Sequence, residues 1–269
     1  MSEAVWAPRM VCPIKLIWRK IRMNIPVKKA AAAQETTVPR EAGSTRVYTE
    51  LRHNILSMVL LPSAPLDEVG LGKRFQLSRS PIREALVRLA SEGLVVTLQN
   101  RSTIVAPLDF RSVPEYLDAL DLLQRATHRS AAICRSQRDI EEIEATLGIY
   151  EKKVKLSFAN GDWLPIIEGN YDFHYRIAQA GRNQYFAGFY KRILEEGRRM
   201  LYFHNEFLFK SLGSTEARLN QHHREMVEAI RVQDADEAER LADEHARQFK
   251  GEFLEYMERS ITSKMRVAT

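Results

Sequence analysis

From Phe110 to Ser263 apolar residues recur every third or fourth position with charged residues between them, and no alternating stretch interrupts the pattern. At about 100° per residue, such spacing gives each segment one apolar stripe. Breaks at Ser136-Gln137, Asn160-Gly161, Gly181, Leu212-Gly213 and Asp234 divide the region into predicted helices at 111–135, 138–159, 163–180, 183–211, 215–233 and 235–262. Val113, Tyr116, Leu117, Leu120 and Leu123 begin the core stripe of an all-α bundle. The leucine face of LDALDLLQRATHRSAAI reads as core, with part of it available as a dimer face.

Before Pro107 the elements are shorter. Arg46–Leu61 carries Val47, Leu51, Ile55, Met58 and Val59 at helical spacing, and Pro62 breaks the run. Asp67–Gln76 is a second short helix. Ser78–Leu94, SRSPIREALVRLASEGL, is a third, with Ser80 suited to cap it and Pro81 to its first helical position. Ile82, Ala85, Leu86 and Leu89 fall on one side of this helix, and Arg79, Ser80, Arg83, Glu84 and Val87 on the other. Leu94–Leu98 and Thr103–Ala106 are β-prone around Gln99-Asn100-Arg101-Ser102, a hairpin with a basic tip. Three helices and a hairpin in this order describe a winged helix-turn-helix. Arginine can fork onto guanine edges or phosphate, and serine hydroxyls at a helix N-terminus suit phosphate, so Ser78, Arg79, Ser80 and Arg83 are candidate DNA contacts. Taken alone, Arg79 and Arg83 read equally as a solvated face pairing Glu84.

Charge changes the picture. Residues 1–107 hold 16 Lys and Arg against 8 Asp and Glu, whereas residues 108–269 hold 24 against 27. The basic half is the half with the winged helix, which suits a polyanion-binding head joined to a neutral module. The expected division is a basic, disordered extension at 1–44, a DNA-binding head at 45–108 and a helical domain at 109–264. The extension mixes Ile14, Leu16, Ile17, Trp18 and Ile21 with Lys15, Arg19, Lys20 and Arg22, so no secretory core forms there. It reads either as a product of an early start codon or as a basic arm adding non-specific DNA affinity. Cys12 and Cys134, the two cysteines, support neither a disulfide framework nor a metal knuckle and fit a reducing cytoplasm. No apolar run is long enough to span a membrane.

Histidines supply the candidate chemistry of the helical part. His174 follows Asn170 by four residues and shares its helix face. His223 and His245 lie on consecutive helices whose short connection near Asp234 could bring them level. An Asn170 oxygen with His174, His223 and His245 nitrogens would give four inward donors for a divalent ion. Spacing alone leaves each histidine equally a surface or core residue. His222 sits about 100° around its helix from His223 and is expected to face outward.

These residues resemble a known family, the GntR transcriptional regulators. The resemblance rests on SRSPIREAL, on EGLV at Glu92–Val95, on NRSTIVAPL at Asn100–Leu108 and on PLDE at Pro65–Glu68. It implies that Arg79 and Arg83 contact operator DNA and that Arg101 touches the minor groove or a phosphate. Val69 replaces an arginine common in relatives, Ser102 replaces the usual wing-tip glycine, and Gly70 and Gly72 lie inside the short second helix. The helical part resembles the FCD class, implying a bundle of six or seven helices and a metal held by Asn170, His174, His223 and His245. The ion implied is zinc, or nickel or manganese, bound more weakly because Asn170 stands where many members have aspartate.

The resemblance further implies a homodimer on a palindromic operator in the bacterial cytoplasm, and a small carboxylic acid effector docked near the metal. Arg125, Tyr171 and Arg198 are candidate effector contacts, each also readable as an ordinary ion pair or capped hydroxyl. Two other functions remain open on sequence: a helical metalloenzyme with a regulatory head, and an architectural DNA-binding protein with no effector.

Overall fold

The computed structural model describes residues 43–211 and 216–263, so the expected extension at 1–44 lies outside the described residues except for Gly43 and Ser44. Helix α1, Gly43–Leu56, opens the head; α2 is Glu68–Phe75 and α3 is Arg79–Ser91. Val47, Leu51, Ile55, Phe75, Ile82, Leu86 and Leu89 meet in one core. Each such apolar side chain taken from water contributes on the order of 1.5–3 kcal/mol. Strands β1 (Pro65–Leu66), β2 (Val95–Thr97) and β3 (Thr103–Val105) form an antiparallel sheet in the order β1-β3-β2, with Val96 opposite Ile104 and Pro65 on its other side.

In the head, two helices differ from the sequence expectation, and a strand appears that it does not include. Helix α1 ends at Leu56, not Leu61: Met58 takes φ 57° and the Leu60 N–H turns back to the Asn54 carbonyl at 2.8 Å, leaving Val59 exposed. Helix α3 starts at Arg79 behind Ser78, so Pro81 is its third residue, still in the turn whose N–H groups lack intrahelical partners. Strand β1 has only two residues, too few to show alternation. In α2, Asp67 accepts from the Val69 and Gly70 N–H groups, as an N-cap does.

The bundle helices end within two residues of the predicted positions, while the break at Leu212-Gly213 lies outside the described residues. Its helices are α4 (Val113–Cys134), α5 (Gln137–Asn160), α6 (Leu164–Ala180), α7 (Gln184–Ser211), α8 (Glu216–Arg231) and α9 (Ala235–Ser263). A capping box between Ser136 and Asp139 starts α5, and Gly161 at φ 68° ends it. Helix α4 packs against α6, α7, α8 and α9. No helix among the described residues is long and apolar enough to cross a membrane.

Glu92 stands at the centre of the polar contacts between the two halves. Glu92, at the end of α3, takes the Tyr48 hydroxyl, Arg52 Nε at 3.0 Å and the α7 residue Arg198 at 3.3 Å. Arg52 reaches on to Glu168 of α6 at 3.0 Å, and Arg199 donates to the Ala106 carbonyl. Burial pushes the Glu92 carboxyl up, but the hydrogen bonds from Tyr48 and Arg52 outweigh it and hold it below its ordinary range. Leu164, at the start of α6, packs into the head's core.

Candidate nucleic-acid interface and metal centre

Helix α3 docks as its pattern predicts. Ile82, Ala85, Leu86 and Leu89 are buried, while Arg79, Ser80, Arg83, Glu84 and Val87 are exposed. Ser78 makes no capping bond through its side chain, so its hydroxyl stands exposed at the helix start. Arg83 is 63% exposed and pairs with Glu68 of α2 at 2.9 Å, in place of the Glu84 partner considered from sequence.

Beyond the sheet, the wing turn is held by Leu98 N–H to the Ser102 carbonyl at 2.8 Å and by Asn100, whose Oδ1 accepts from the Ser102 N–H and hydroxyl at 3.0 and 2.7 Å. The left-handed residue of this turn is Arg101, at φ 65°, so Ser102 fills its position without needing glycine's freedom. Arg101 is exposed at the tip.

The structure brings the three predicted histidines together. His174 comes from α6, His223 from α8 and His245 from α9, and their ligating atoms all lie within 4.8 Å of one another. His174 and His223 are buried, and the centres of the His223 and His245 rings are 4.8 Å apart. Asn170, one turn before His174, lines the same cavity, which measures about 80 Å³. Burial, followed by the neighbouring imidazoles, drives His174 and His245 well below their ordinary pKa. Burial lowers His223 to about 3 against the pull of the Leu219 carbonyl. Neutral imidazoles are what coordination requires.

Two nitrogens bonded to one tetrahedral zinc at about 2.0–2.1 Å stand about 3.3 Å apart. His174 Nε2 and His223 Nε2 are 3.3 Å apart. His223 Nδ1 faces the Leu219 carbonyl at 3.1 Å, so that nitrogen carries the proton and Nε2 keeps its lone pair.

The family models match this organisation: "Bacterial regulatory proteins, gntR family" over residues 44–105 and "FCD domain" over 115–248. This chain belongs to the GntR family, FCD type. Its curated relatives include the HTH-type transcriptional repressor RspR of Escherichia coli, 24% identical over 77% of this chain and 87% of that protein. The gluconate operon transcriptional repressor of Bacillus licheniformis is 37% identical over 31% of this chain and 34% of its own length. Among solved structures, E. coli McbR/YncC superposes with a TM-score of 0.60 at 19% identity, covering 80% of this chain and 98% of that one. A putative GntR regulator from Rhodococcus sp. RHA1 gives 0.61 at 18% identity, covering 78% and 97%. These structures show the shared fold. The protein is therefore a transcriptional regulator of the GntR family with a DNA-binding head and an FCD domain.

In this GntR protein the other candidate residues, those for the effector, lie apart from the three histidines. Arg125, Tyr171 and Arg198 do not line the cavity around the histidines; Arg198 lines a second cavity with Arg52, Glu92 and Glu168 at the junction with the head. Arg125 pairs with Glu239 at 2.8 Å on the outside of α4 and α9. Tyr171 lies beneath the Arg198 guanidinium, 4.0 Å from it, and Arg198 itself turns to Glu92 in the head. A cationic side chain on a bundle helix points to whichever carboxylate is near, and here those carboxylates lie elsewhere. His222, expected outward, lines the cavity with its ring centre 6.1 Å from that of His245. The cavity spans a wider arc of α8 than one residue, from Arg218 and Leu219 to His223.

Several lining residues escaped the sequence reading. Glu252 of α9 takes His204 Nε2 at 2.9 Å and Arg218 at 2.6 Å. Gln124 and His128 are buried on the inner face of α4, and Gln124 lines the cavity. Their signal was present: both interrupt a leucine stripe where a hydrophobe would be expected. His204 offered no comparable spacing.

Proposed function

We propose that this GntR regulator holds a divalent metal with His174, His223, His245 and the Asn170 amide oxygen, and senses a small carboxylic acid beside it. The observation that carries the reading is the 3.3 Å separation of two buried, neutral imidazole nitrogens with a third ligand close by. The metal supplies a positive docking point for the acid. Asn170 contributes an uncharged oxygen, so the ion is less neutralised than it would be by aspartate and is held more weakly. Within the described lining, the charged Arg218 and Glu252 are already paired to each other. The acid's carboxylate must then find its countercharge chiefly at the metal.

In the head, Arg79, Ser80 and Arg83 read the operator from α3, Ser78 meets a phosphate at the helix start, and Arg101 enters from the wing. Two copies related by a twofold axis bind a palindromic site in the bacterial cytoplasm. The acid acts by binding one dimer geometry more tightly than another.

Of the alternatives, a metalloenzyme gains one observation, since Glu252 shares the cavity. Its attachment to His204 and Arg218, which with burial offset holds the carboxyl below its ordinary range, ties it away from a base's task. Repression by the relatives named above supports a regulatory role over catalysis and over a purely architectural one.

Thermal shift tests the sensor reading. Zinc, nickel or manganese should raise the melting temperature, and a panel of hydroxy acids, sugar acids and dicarboxylates should add to that rise by mass action. His174→Ala should abolish both effects. No shift with any ion or acid would overturn the sensor; footprinting that found no protected operator would overturn the DNA assignment.

A further inference from the structure

We propose that His128 is a positioning residue for the metal centre: it accepts a hydrogen bond from Nδ1–H of His174 and so fixes the ring through which His174 would bind the ion. The proposal rests on the metal reading above. It comes from two buried nitrogens that the fold leaves without partners, His128 Nε2 and His174 Nδ1.

Tautomers make these two nitrogens complementary. His128 Nδ1 lies 2.8 Å from the Gln124 backbone carbonyl, which can only accept, so Nδ1 carries the proton and Nε2 presents a lone pair. His174 turns Nε2 toward His223, the nitrogen that fits a shared metal. Its Nδ1 then carries the remaining proton and needs an acceptor. Metal-bound histidines almost always donate that second N–H to a carboxylate, a carbonyl or water. No such partner reaches His174 Nδ1 within the described residues.

The two rings have the spacing for this bond. Their centres are 5.6 Å apart. Imidazole nitrogens hydrogen-bonded edge to edge at about 3 Å place the ring centres a little over about 5 Å apart. The observed separation exceeds that span by a few tenths of an ångström, with the ring planes inclined at 50°. His128 is fully buried on α4, a turn along from Gln124, which lines the cavity. The wall helix α4 thereby contributes to the site through the ring behind a ligand.

The test uses the full chain and zinc alone as probe. Zinc affinity is read by competition with a chromophoric chelator for wild type, His128→Leu and His128→Gln, with circular dichroism confirming the fold. Leu keeps the bulk and removes the acceptor, whereas Gln retains an acceptor oxygen. Affinity should fall about 10–100-fold in His128→Leu and recover in His128→Gln. In zinc-loaded wild type, ¹⁵N imidazole spectra should show His174 protonated at Nδ1, with that resonance displaced in His128→Gln. Wild-type affinity in His128→Leu, or an Nδ1 signal unmoved by His128→Gln, would overturn the role of His128 alone. Should His128→Leu not fold, the Gln variant's spectra decide. Wild type that binds no zinc would overturn the metal centre, and this role with it.

Discussion

Glu92→Gln should loosen the junction between head and bundle. The side chains of Glu92 and Arg52 are each 19% exposed, and that of Arg198 is 5% exposed, so the carboxylate neutralises two largely dehydrated guanidinium groups. Removing one partner of a fully buried pair costs about 3–5 kcal/mol, whereas exposed pairs contribute about 0–1. Arg52 keeps Glu168, and the amide keeps one oxygen for the Tyr48 hydroxyl, so we expect a loss of about 2 kcal/mol, mostly from stranding Arg198. Equilibrium urea unfolding at neutral pH measures it. Glu237→Gln, which breaks an exposed pair with Arg240 on α9, serves as the control and should change nothing measurable. A loss below about 0.5 kcal/mol for Glu92→Gln would show that solvent screens the junction and would refute the reasoning.

Other outcomes follow from single groups. Arg83→Ala should weaken operator binding by about 1–3 kcal/mol in a gel-shift titration while sparing the melting temperature, because the side chain is exposed and pairs only across α2 and α3; equal loss of folding would contradict it. Gly197→Ala should destabilise by about 1–3 kcal/mol, since its Cβ would fall 2.0 Å from the Tyr116 hydroxyl inside the cavity wall; an unchanged melting temperature would refute the packing. In chelator, the protein should lose stability below pH 6.5. Folding lowers His128 to about 4 and His223 to about 3, so between those values and 6.5 the unfolded chain binds protons the native chain refuses. Each ring then costs about 1.4 kcal/mol per pH unit as pH falls. A flat melting temperature from pH 7.5 to 5.5 would contradict this.

The bundle was legible because its helices are long and their ends carry local chemistry: the Ser136–Asp139 box and Gly161 act within a few residues of themselves. The head was legible in type, but its boundaries followed tertiary contacts. Leu56 ends α1 because the chain folds back on Asn54, which no proline announces. Spacing suggests the histidine cluster, with Asn170 and His174 on one helix face and a short turn between α8 and α9, but leaves each histidine open to an ordinary core or surface role; the resemblance to the FCD class joins them into one site. Its outer ring cannot be read: His128, His204 and His222 face the interior through helix rotation and crossing, which spacing along one helix does not specify. The direction of Arg198 is likewise set across the fold, by Glu92, more than a hundred residues away.

Leu164 carries a practical consequence for engineering. The DNA-binding head and the helical domain invite exchange between regulators, with a cut placed between the wing and α4. In this chain the head's hydrophobic interior is completed by a leucine that the helical bundle supplies from well past that cut. A chimaera joining this head to a foreign bundle would inherit a gap unless the recipient offers an equivalent plug, and the graft point should be chosen with that missing side chain in view.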